Sequence, residues 1–203
     1  MERQTHWDNI YAQRQPAELA WYQAHPETSL RLIAASGVGK DAALIDIGGG
    51  ASLLVDKLVE AGYAEVTVLD ISAAAIAAAQ MRLGARAEAV RWLTQDVIAF
   101  APPEKYALWH DRAVFHFLTE AADRQVYLAA AASALDGGGQ MIIATFAPDG
   151  PEKCSGLPVV RYDAQSLAKE AGEPFELLES CGETHVTPGG VKQSFSYCRF
   201  RRR

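Results

Sequence analysis

The sequence predicts an α/β fold in which helices cover both faces of one mostly parallel sheet and the chain ends in an antiparallel hairpin. Between residues 42 and 146, short β-branched runs alternate with alanine-rich helical patterns. A parallel crossover needs a connection long enough to hold a helix, so this alternation implies helices on both faces. At residues 175–200, two strand-like runs flank a loop with Pro188, Gly189 and Gly190, which is typical of a hairpin.

The predicted elements follow one another along the chain. Five strands precede the hairpin, at residues 42–48, 65–72, 89–96, 106–113 and 140–148. Four helices are predicted between and after these strands, at residues 51–62, 73–84, 120–139 and 164–172. We expect Thr119 to cap the third helix, the following glycines to stop it, and Asp163 to cap the fourth.

Length and composition predict one globular domain, because 203 residues with 49% hydrophobic residues can bury a substantial core. Within it, residues 1–38 are expected to form an N-terminal helical lid, 42–146 a core of alternating strands and helices, and 163–200 a final helix and hairpin. A net charge of -6 argues against binding to nucleic acid or to an anionic membrane. The arginines at 199 and 201–203 are interpreted as a solvated, frayed end.

Targeting and metal signals are weak in this sequence. The three cysteines form no CxxC pair, so neither a zinc site nor a redox dithiol is predicted, and they fit a reducing compartment. The N-terminus lacks the pattern of a secretory signal, and the apolar stretches fall short of the roughly 20 residues of a membrane span. These features predict a soluble cytoplasmic protein, and they leave its oligomeric state open.

The stretch LIDIGGGAS places a glycine loop after the first predicted strand, where ligands bind in open parallel sheets. A dinucleotide-binding loop has the pattern GxGxxG, but counting from Gly48 gives Gly50 and then Leu53 in place of the third glycine. A Walker A loop ends in Gly-Lys-Ser/Thr, and no lysine follows here until Lys57. Both phosphate interpretations are therefore disfavoured.

Acidic residues stand at the ends of three successive predicted strands. Asp46 precedes the glycines and favours a cationic partner over a pyrophosphate. Asp70 ends the second strand, where a carboxylate can accept hydrogen bonds from both hydroxyls of a ribose. Asp96 ends the third strand, within reach of an exocyclic amine. Together the three acids and the loop indicate a site for an uncharged nucleoside that carries a positive centre. As single residues, Asp46, Asp70 and Asp96 also fit plain loop, cap or turn roles.

Four stretches, LIDIGGGAS, VTVLDIS, LTQDV and YALWHDRAVFHFL, resemble motifs I to IV of class I S-adenosylmethionine-dependent methyltransferases, in order and separation. The similarity spans residues 6–200. It implies a Rossmann-like, seven-stranded sheet with a reversed final hairpin, and S-adenosyl-L-methionine as cofactor. Ser52 stands where many members of this superfamily have a third glycine, and its small side chain still permits close approach of the cofactor.

The resemblance also implies roles for individual residues. It assigns Asp46 to the cofactor's methionine amino group, Gly48 and Gly50 to backbone access, Asp70 to the ribose hydroxyls, Ile71 to the adenine face, and Asp96 with Val97 to the adenine edge. Asp111 takes the position that usually faces the methionine portion and the substrate.

The N-terminal stretches HWDNIY and ELAWYQ are similar to a methyltransferase-like subgroup that includes protein-lysine methyltransferases. We expect this region to cover the cofactor, with Trp21 or Tyr22 offering a π-face to the sulfonium or to a cationic substrate. His116, placed after the fourth strand, and Tyr22 are the candidate bases for an acceptor that must lose a proton. His110 is more typical of a structural histidine.

The predicted function is methyl transfer from S-adenosylmethionine to a small-molecule acceptor, because the chain has neither an added recognition domain nor a basic nucleic-acid surface. A protein-lysine methyltransferase is the alternative within the class, and it predicts an acidic, aromatic-rimmed channel. An NAD-binding oxidoreductase and a non-catalytic interaction protein are the alternatives outside it. No metal-ligand cluster is visible, so metal-assisted O-methylation is disfavoured.

Overall fold

The structure is a computed structural model that describes residues 2–203. Six α-helices occur in it: α1 (Glu2–Gln13), α2 (Glu27–Ala35), α3 (Leu54–Glu60), α4 (Ala73–Leu83), α5 (Ala121–Ala134) and α6 (Ala164–Ala171). The strands are β1 (Leu44–Ile47), β2 (Val66–Asp70), β3 (Val90–Thr94), β4 (Tyr106–Arg112), β5 (Leu135–Phe146), β6 (Lys153–Cys154), β7 (Leu157–Pro158), β8 (Phe175–Val186) and β9 (Lys192–Arg202).

Seven of the strands form one sheet in the order β3-β2-β1-β4-β5-β9-β8. Strands β1 to β5 pair in parallel, whereas β9 runs antiparallel to both β5 and β8. The predicted α/β class is therefore confirmed, including its mostly parallel sheet and its C-terminal hairpin. Strands β2 and β3 are added on one side of β1, and β4 and β5 on the other side. The carboxyl ends of β1, β2, β3 and β4 therefore lie around one crevice.

Helices cover both faces of the sheet, and every residue of β1 and β2 is buried. On one face, Leu32 of α2 and Leu58 of α3 pack in the same cluster as Leu108 of β4. On the other face, Tyr127 of α5 packs in one cluster with Trp109 of β4. Successive residues of a strand point to opposite faces, so the neighbours Leu108 and Trp109 lie in different clusters.

Helix α5 differs from its prediction at both ends. Its N-cap is Glu120, without a side-chain cap, and Thr119 contributes only a carbonyl that accepts from Arg124 Nη1 at 2.8 Å. The helix ends at Ala134, before the glycines, because pairing of Leu135 with Tyr106 has already drawn the chain into β5. The expected cap by Thr119 and the expected glycine stop are both wrong, while the expected cap of α6 by Asp163 is confirmed.

Three of the four C-terminal arginines, Arg199, Arg201 and Arg202, lie in the sheet, so the prediction of a frayed end is wrong. Arg199 and Arg201 lie in β9, where their guanidinium groups pair with Glu179 at 2.9 Å and Glu176 at 2.6 Å on β8. The charged pairs lie across adjacent strands, where opposite charges stabilise the pairing. None of the helices within residues 2–203 combines the length and the apolar character needed to cross a membrane.

Candidate functional site

The glycine loop packs directly against the ends of β1 and β2. Gly48 has a φ of +66°, which side chains rarely adopt. At Gly50, a Cβ atom would overlap Asp70 Oδ2 and would lie 2.9 Å from the Cβ of Ala75 in α4. Only a residue without a side chain fits between the Asp70 carboxylate and α4. The loop therefore keeps its backbone against the strand ends, where a ligand can approach it.

A cavity opens beside this loop and runs from the ends of β2 and β3 towards the end of β4. It gathers six residues that the sequence assigned to the cofactor: Trp21, Gly48, Asp70, Ile71, Asp96 and Val97. The rest of its lining comes from Arg3, Trp7, Tyr11, Ile47, Leu69, Gln95, Arg112, Ala113, Val114, Phe117, Leu118 and Cys154. We call the part near Asp70 and Asp96 the nucleoside end, and the part near Arg112 and Phe117 the inner end.

At the nucleoside end, the carboxyl group of Asp70 has a strongly raised pKa. Its side chain is buried, and burial raises its pKa to about 7, although the hydrogen bond from the Ser72 N–H acts in the opposite direction. That hydrogen bond joins Ser72 N to Asp70 Oδ1 over 2.8 Å. A ligand that donates hydrogen bonds to this carboxylate would favour its charged form.

Asp96 combines a local structural role with a place in the cavity. Its Oδ1 accepts from the Ile98 N–H at 3.2 Å and caps a short 3-10 turn. Its Oδ2 lies 3.8 Å from Nη1 of Arg3, a residue of α1. Asp96 therefore has the turn role that was its alternative interpretation, and it also lines the cavity.

Helix α1 covers the cavity with one face. Arg3, Trp7 and Tyr11 follow at intervals of four residues, which places them along one side of a helix, and all three line the cavity. Between them, Asp8 accepts a hydrogen bond from the Ser72 hydroxyl at 2.6 Å and holds α1 against α4. The Trp-Asp-x-x-Tyr pattern thus supplies two cavity-lining rings and one docking carboxylate.

Aromatic rings enclose the inner end. The Trp7 ring lies edge to face with Trp21 at 5.7 Å and with Phe117 at 5.1 Å, and Tyr11 lies 6.2 Å from Trp21. Cys154 of the short β6–β7 ribbon also lines this end, and burial raises the pKa of its thiol to about 11. At neutral pH the thiol stays protonated and is not a thiolate nucleophile.

A second, smaller cavity lies on the other side of the glycine loop. It contains Tyr22, Asp46 and Ser52 of the predicted residues, and it shares Trp21 and Gly48 with the first cavity. The structure therefore divides the predicted site between two adjoining cavities. Gly50 borders neither of them and acts through its contact with Asp70.

A buried chain of three side chains supports Asp46. His110 Nδ1 lies 2.7 Å from Asp46 Oδ1, and His110 Nε2 lies 2.9 Å from Ser29 Oγ. All three side chains are almost inaccessible to solvent. With Asp46 ionised, Nδ1 carries the proton and the Ser29 hydroxyl donates to Nε2. Within residues 2–203, Asp46 Oδ2 has no hydrogen-bond partner, so this oxygen is free to accept from a ligand.

The structure does not bring Asp111 into either cavity, and the expectation that it faces the cofactor and substrate is wrong. Its carboxylate is fully buried and accepts from the Val114 and Phe115 N–H groups at 2.9 and 3.0 Å and from the Tyr127 hydroxyl at 2.6 Å. Burial raises its pKa to about 6. The cause is strand alternation, which points Asp111 towards α5 while His110 and Arg112 point to the other face.

His116 is also outside both cavities, which contradicts its predicted role as a base. It lies in the expected turn after β4, but its ring is fully buried between Phe117 and Phe146. Burial lowers its pKa to about 3, so the ring is neutral and has no access to an acceptor. Tyr22 is the predicted catalytic residue that reaches a cavity, and it lines the second one.

Sequence reasoning missed Arg112 and the pairing of His110 with Ser29. Arg112 lines both cavities, and the signal that could have found it is its position two residues after His110 on the same face of β4. Ser29 lies on α2, far from His110 in the sequence, and no spacing rule predicts their contact.

A family model described as a methyltransferase domain matches residues 45–141. These residues hold β1 from its second residue, β2 to β4, the glycine loop, Asp70 and Asp96. No curated protein sequence matches the chain.

Solved structures match over nearly the whole chain. One, concerned with conversion of a disulfide bond into a thioacetal group during echinomycin biosynthesis, has 19% identity and a TM-score of 0.79, covering 98% of this chain and 91% of its own. N-methyltransferase NodS from Bradyrhizobium japonicum WM9, with S-adenosyl-L-homocysteine, has 17% identity and a TM-score of 0.74 over 96% and 97%.

A third structure, a SAM-dependent methyltransferase from Anabaena variabilis ATCC 29413, has 15% identity and a TM-score of 0.75 over 99% of this chain and 93% of its own. The chain therefore has the fold of class I methyltransferases. The family model covers just under half of the chain, and the solved structures share its fold.

Proposed function

We propose that the protein is an S-adenosylmethionine-dependent methyltransferase that acts on a small-molecule acceptor. One observation carries the proposal: a single cavity runs from two strand-end acids, past a glycine loop, to an aromatic chamber. This sequence of surfaces matches a ligand with a polar nucleoside at one end and a cationic centre near the other. The family match and the shared fold support the same conclusion.

The residues of the two cavities fit the parts of the cofactor. Asp70 accepts from the ribose hydroxyls, while Ile71 packs on the adenine and Asp96 with Val97 holds its edge. In the second cavity, the free Asp46 Oδ2 accepts from the ammonium of the methionine part. The fit rests on two observations, the buried oxygen of Asp46 without a partner and the contact of Asp70 with the glycine loop.

The protein's contribution to the reaction is positioning. S-adenosylmethionine supplies a methyl group on a sulfonium, and its transfer is an in-line displacement in which alignment provides most of the rate. The rings of Trp7, Trp21 and Phe117 exclude water and offer π-faces to a cation. With His116 and Asp111 outside the cavities, no acid–base residue is assigned, and an acceptor that already presents a lone pair needs none.

The inner end favours a small molecule over a protein lysine. A lysine methyltransferase calls for an acidic channel, because the approaching side chain is an ammonium. Here the charged side chain that lines the inner end is Arg112, which is ion-paired with Glu183, and the acidic residues that line the cavity, Asp70 and Asp96, lie at the nucleoside end. NodS, a structural neighbour, is an N-methyltransferase.

The proposal is tested by measuring where a labelled methyl group is incorporated. Purified protein is incubated with methyl-labelled S-adenosylmethionine and cell extract, which is then separated by size into small molecules and proteins. We expect label in the small-molecule fraction with wild-type protein and not with Asp70→Asn. Label confined to the protein fraction would support the lysine alternative, and absence of label in both fractions would contradict methyl transfer.

A parallel titration with NADH tests the oxidoreductase alternative, for which binding of NADH and not of S-adenosylhomocysteine is expected.

A further inference from the structure

The guanidinium of Arg112 marks the part of the inner end that lies furthest from the nucleoside acids. Its Cζ sits 4.4 Å from the centre of the Phe195 ring, and its Nε donates to the Tyr197 hydroxyl at 2.8 Å. Both partners lie on β9, two strands from β4, whereas Asp70 ends β2 and Asp96 follows β3, on the opposite side of β1. The Arg112 side chain therefore reaches across β5, away from the nucleoside.

One nitrogen of this guanidinium, Nη2, makes an ion pair but no hydrogen bond with the described residues. Nη1 donates to the Trp21 carbonyl at 3.1 Å, but Nη2 has no hydrogen-bond partner in the part of the chain that the structure describes. Glu183 Oε1 forms an ion pair with Nη2 at 3.5 Å, and this oxygen accepts from Gln23 Nε2 at 2.9 Å and from the Tyr197 hydroxyl at 3.3 Å. The Arg112 side chain is only 10% exposed, so solvent does not replace the missing acceptor. A buried charged donor without an acceptor is costly, and a bound anion or carbonyl oxygen would remove that cost.

The walls of the inner end are mostly aromatic. Trp7, Trp21 and Phe117 supply ring faces and edges, and Cys154 contributes a thiol that is protonated at neutral pH. Aromatic walls with one charged donor are typical of sites that bind a mostly apolar ligand and fix its orientation through a few polar atoms.

We propose that the methyl acceptor is a flat, largely apolar small molecule with an anionic oxygen, such as a carboxylate, that binds Arg112 Nη2. This proposal rests on the proposed methyltransferase function. In the transfer, the bond between the methyl carbon and sulfur breaks and its electron pair stays on sulfur, which becomes a neutral thioether. A lone pair of the acceptor's nucleophilic atom forms the new bond, and a proton carried by that atom passes to water. Arg112 is a specificity-determining residue that orients the acceptor and does not exchange a proton.

The first experiment uses wild-type protein and three probes of one shape. Protein saturated with S-adenosylhomocysteine is titrated in a calorimeter with 2-naphthoate, with its neutral amide, and with 2-naphthylmethylammonium. We expect 2-naphthoate to bind at least tenfold more tightly than the other two. Equal affinities, tighter binding of the ammonium, or no binding of 2-naphthoate would overturn the proposal. Failure of S-adenosylhomocysteine to bind in the loading step would instead contradict the proposed function, so the two failures are distinguishable.

The second experiment tests Arg112 itself. Arg112→Met is expected to lose the preference for 2-naphthoate over the amide while the Kd for S-adenosylhomocysteine stays within twofold of the wild-type value. Arg112→Lys keeps the charge and is expected to retain part of the preference, which separates recognition from a folding defect. Arg91→Met, which removes an exposed arginine paired with Glu104, is the matched control and should leave the preference unchanged. A large loss of S-adenosylhomocysteine affinity in Arg112→Met, with the 2-naphthoate preference intact, would assign Arg112 to the cofactor and overturn the proposal.

Discussion

Binding of S-adenosylhomocysteine should weaken as the pH falls below 7, because the ribose-binding carboxylate must be ionised. Asp70 is buried, with a pKa raised to about 7 by that burial. The two ribose hydroxyls donate hydrogen bonds, and an ionised carboxylate accepts both of them, whereas a protonated carboxyl has one oxygen occupied by its own proton. Binding therefore selects the ionised form, and a proton is released when the ligand enters a protein in which Asp70 is protonated.

The size of the effect follows from this pKa. About 9% of the carboxyl is ionised at pH 6 and about 91% at pH 8, so the Kd should rise about tenfold between pH 8 and pH 6. Calorimetric titrations across this range measure the Kd. Repeating them at pH 7 in two buffers with different ionisation enthalpies should show release of about half a proton per ligand bound.

Asp70→Asn is the control for this pH dependence, because its amide does not titrate. The variant should bind more weakly at pH 8 and show a Kd that hardly changes between pH 6 and pH 8. A wild-type Kd that is flat over this range, or a slope that persists in Asp70→Asn, would refute the assignment of the titration to Asp70. In the second case another group near the cavity would be responsible.

Three further predictions concern the framework of the site. Gly50→Ala places a Cβ against the strand-end carboxylate and should weaken S-adenosylhomocysteine binding at least tenfold in calorimetry, whereas Gly137→Ala, in open space, should not; equal effects would contradict this. His110→Leu leaves a buried carboxylate without its partner and should lower the free energy of unfolding by about 3 kcal/mol in urea melts, and a loss below about 1 kcal/mol would count against the buried pair. Ala113 has a φ of +72°, so Ala113→Gly should stabilise the protein by up to about 1 kcal/mol in the same urea melts. The control Ala129→Gly, in α5, should instead destabilise it by about 1 kcal/mol. Losses of the same size at both positions would refute strain at this turn.

The fold was predictable because its signals are local. Hydrophobic runs and glycine punctuation placed the strands, and the ends of parallel strands brought Asp70 and Asp96 to one cavity. The errors arose where tertiary pairing overrides local preference. At α5, pairing of Leu135 with β4 ends the helix before the glycines that were expected to stop it.

The inner end was less predictable because it depends on which face of a strand each residue occupies. Asp111 and Arg112 are neighbours in the sequence, yet one packs under α5 and the other lines the cavities. The motif resemblance predicted that Asp111 faces the ligand, but the alternation of side chains along β4 places Arg112 in the cavities instead. The contacts of Arg112 with Tyr197 and the Trp21 carbonyl join parts of the chain that are far apart in sequence, so no spacing pattern reveals them.

The most direct test of the account is a calorimetric titration of the wild-type protein with S-adenosylhomocysteine at pH 8, beside the same titration of Gly50→Ala. We expect saturable one-to-one binding with a Kd in the micromolar range or below for the wild-type protein, and binding at least tenfold weaker for the variant. Absence of binding to folded wild-type protein at ligand concentrations well above micromolar would contradict it.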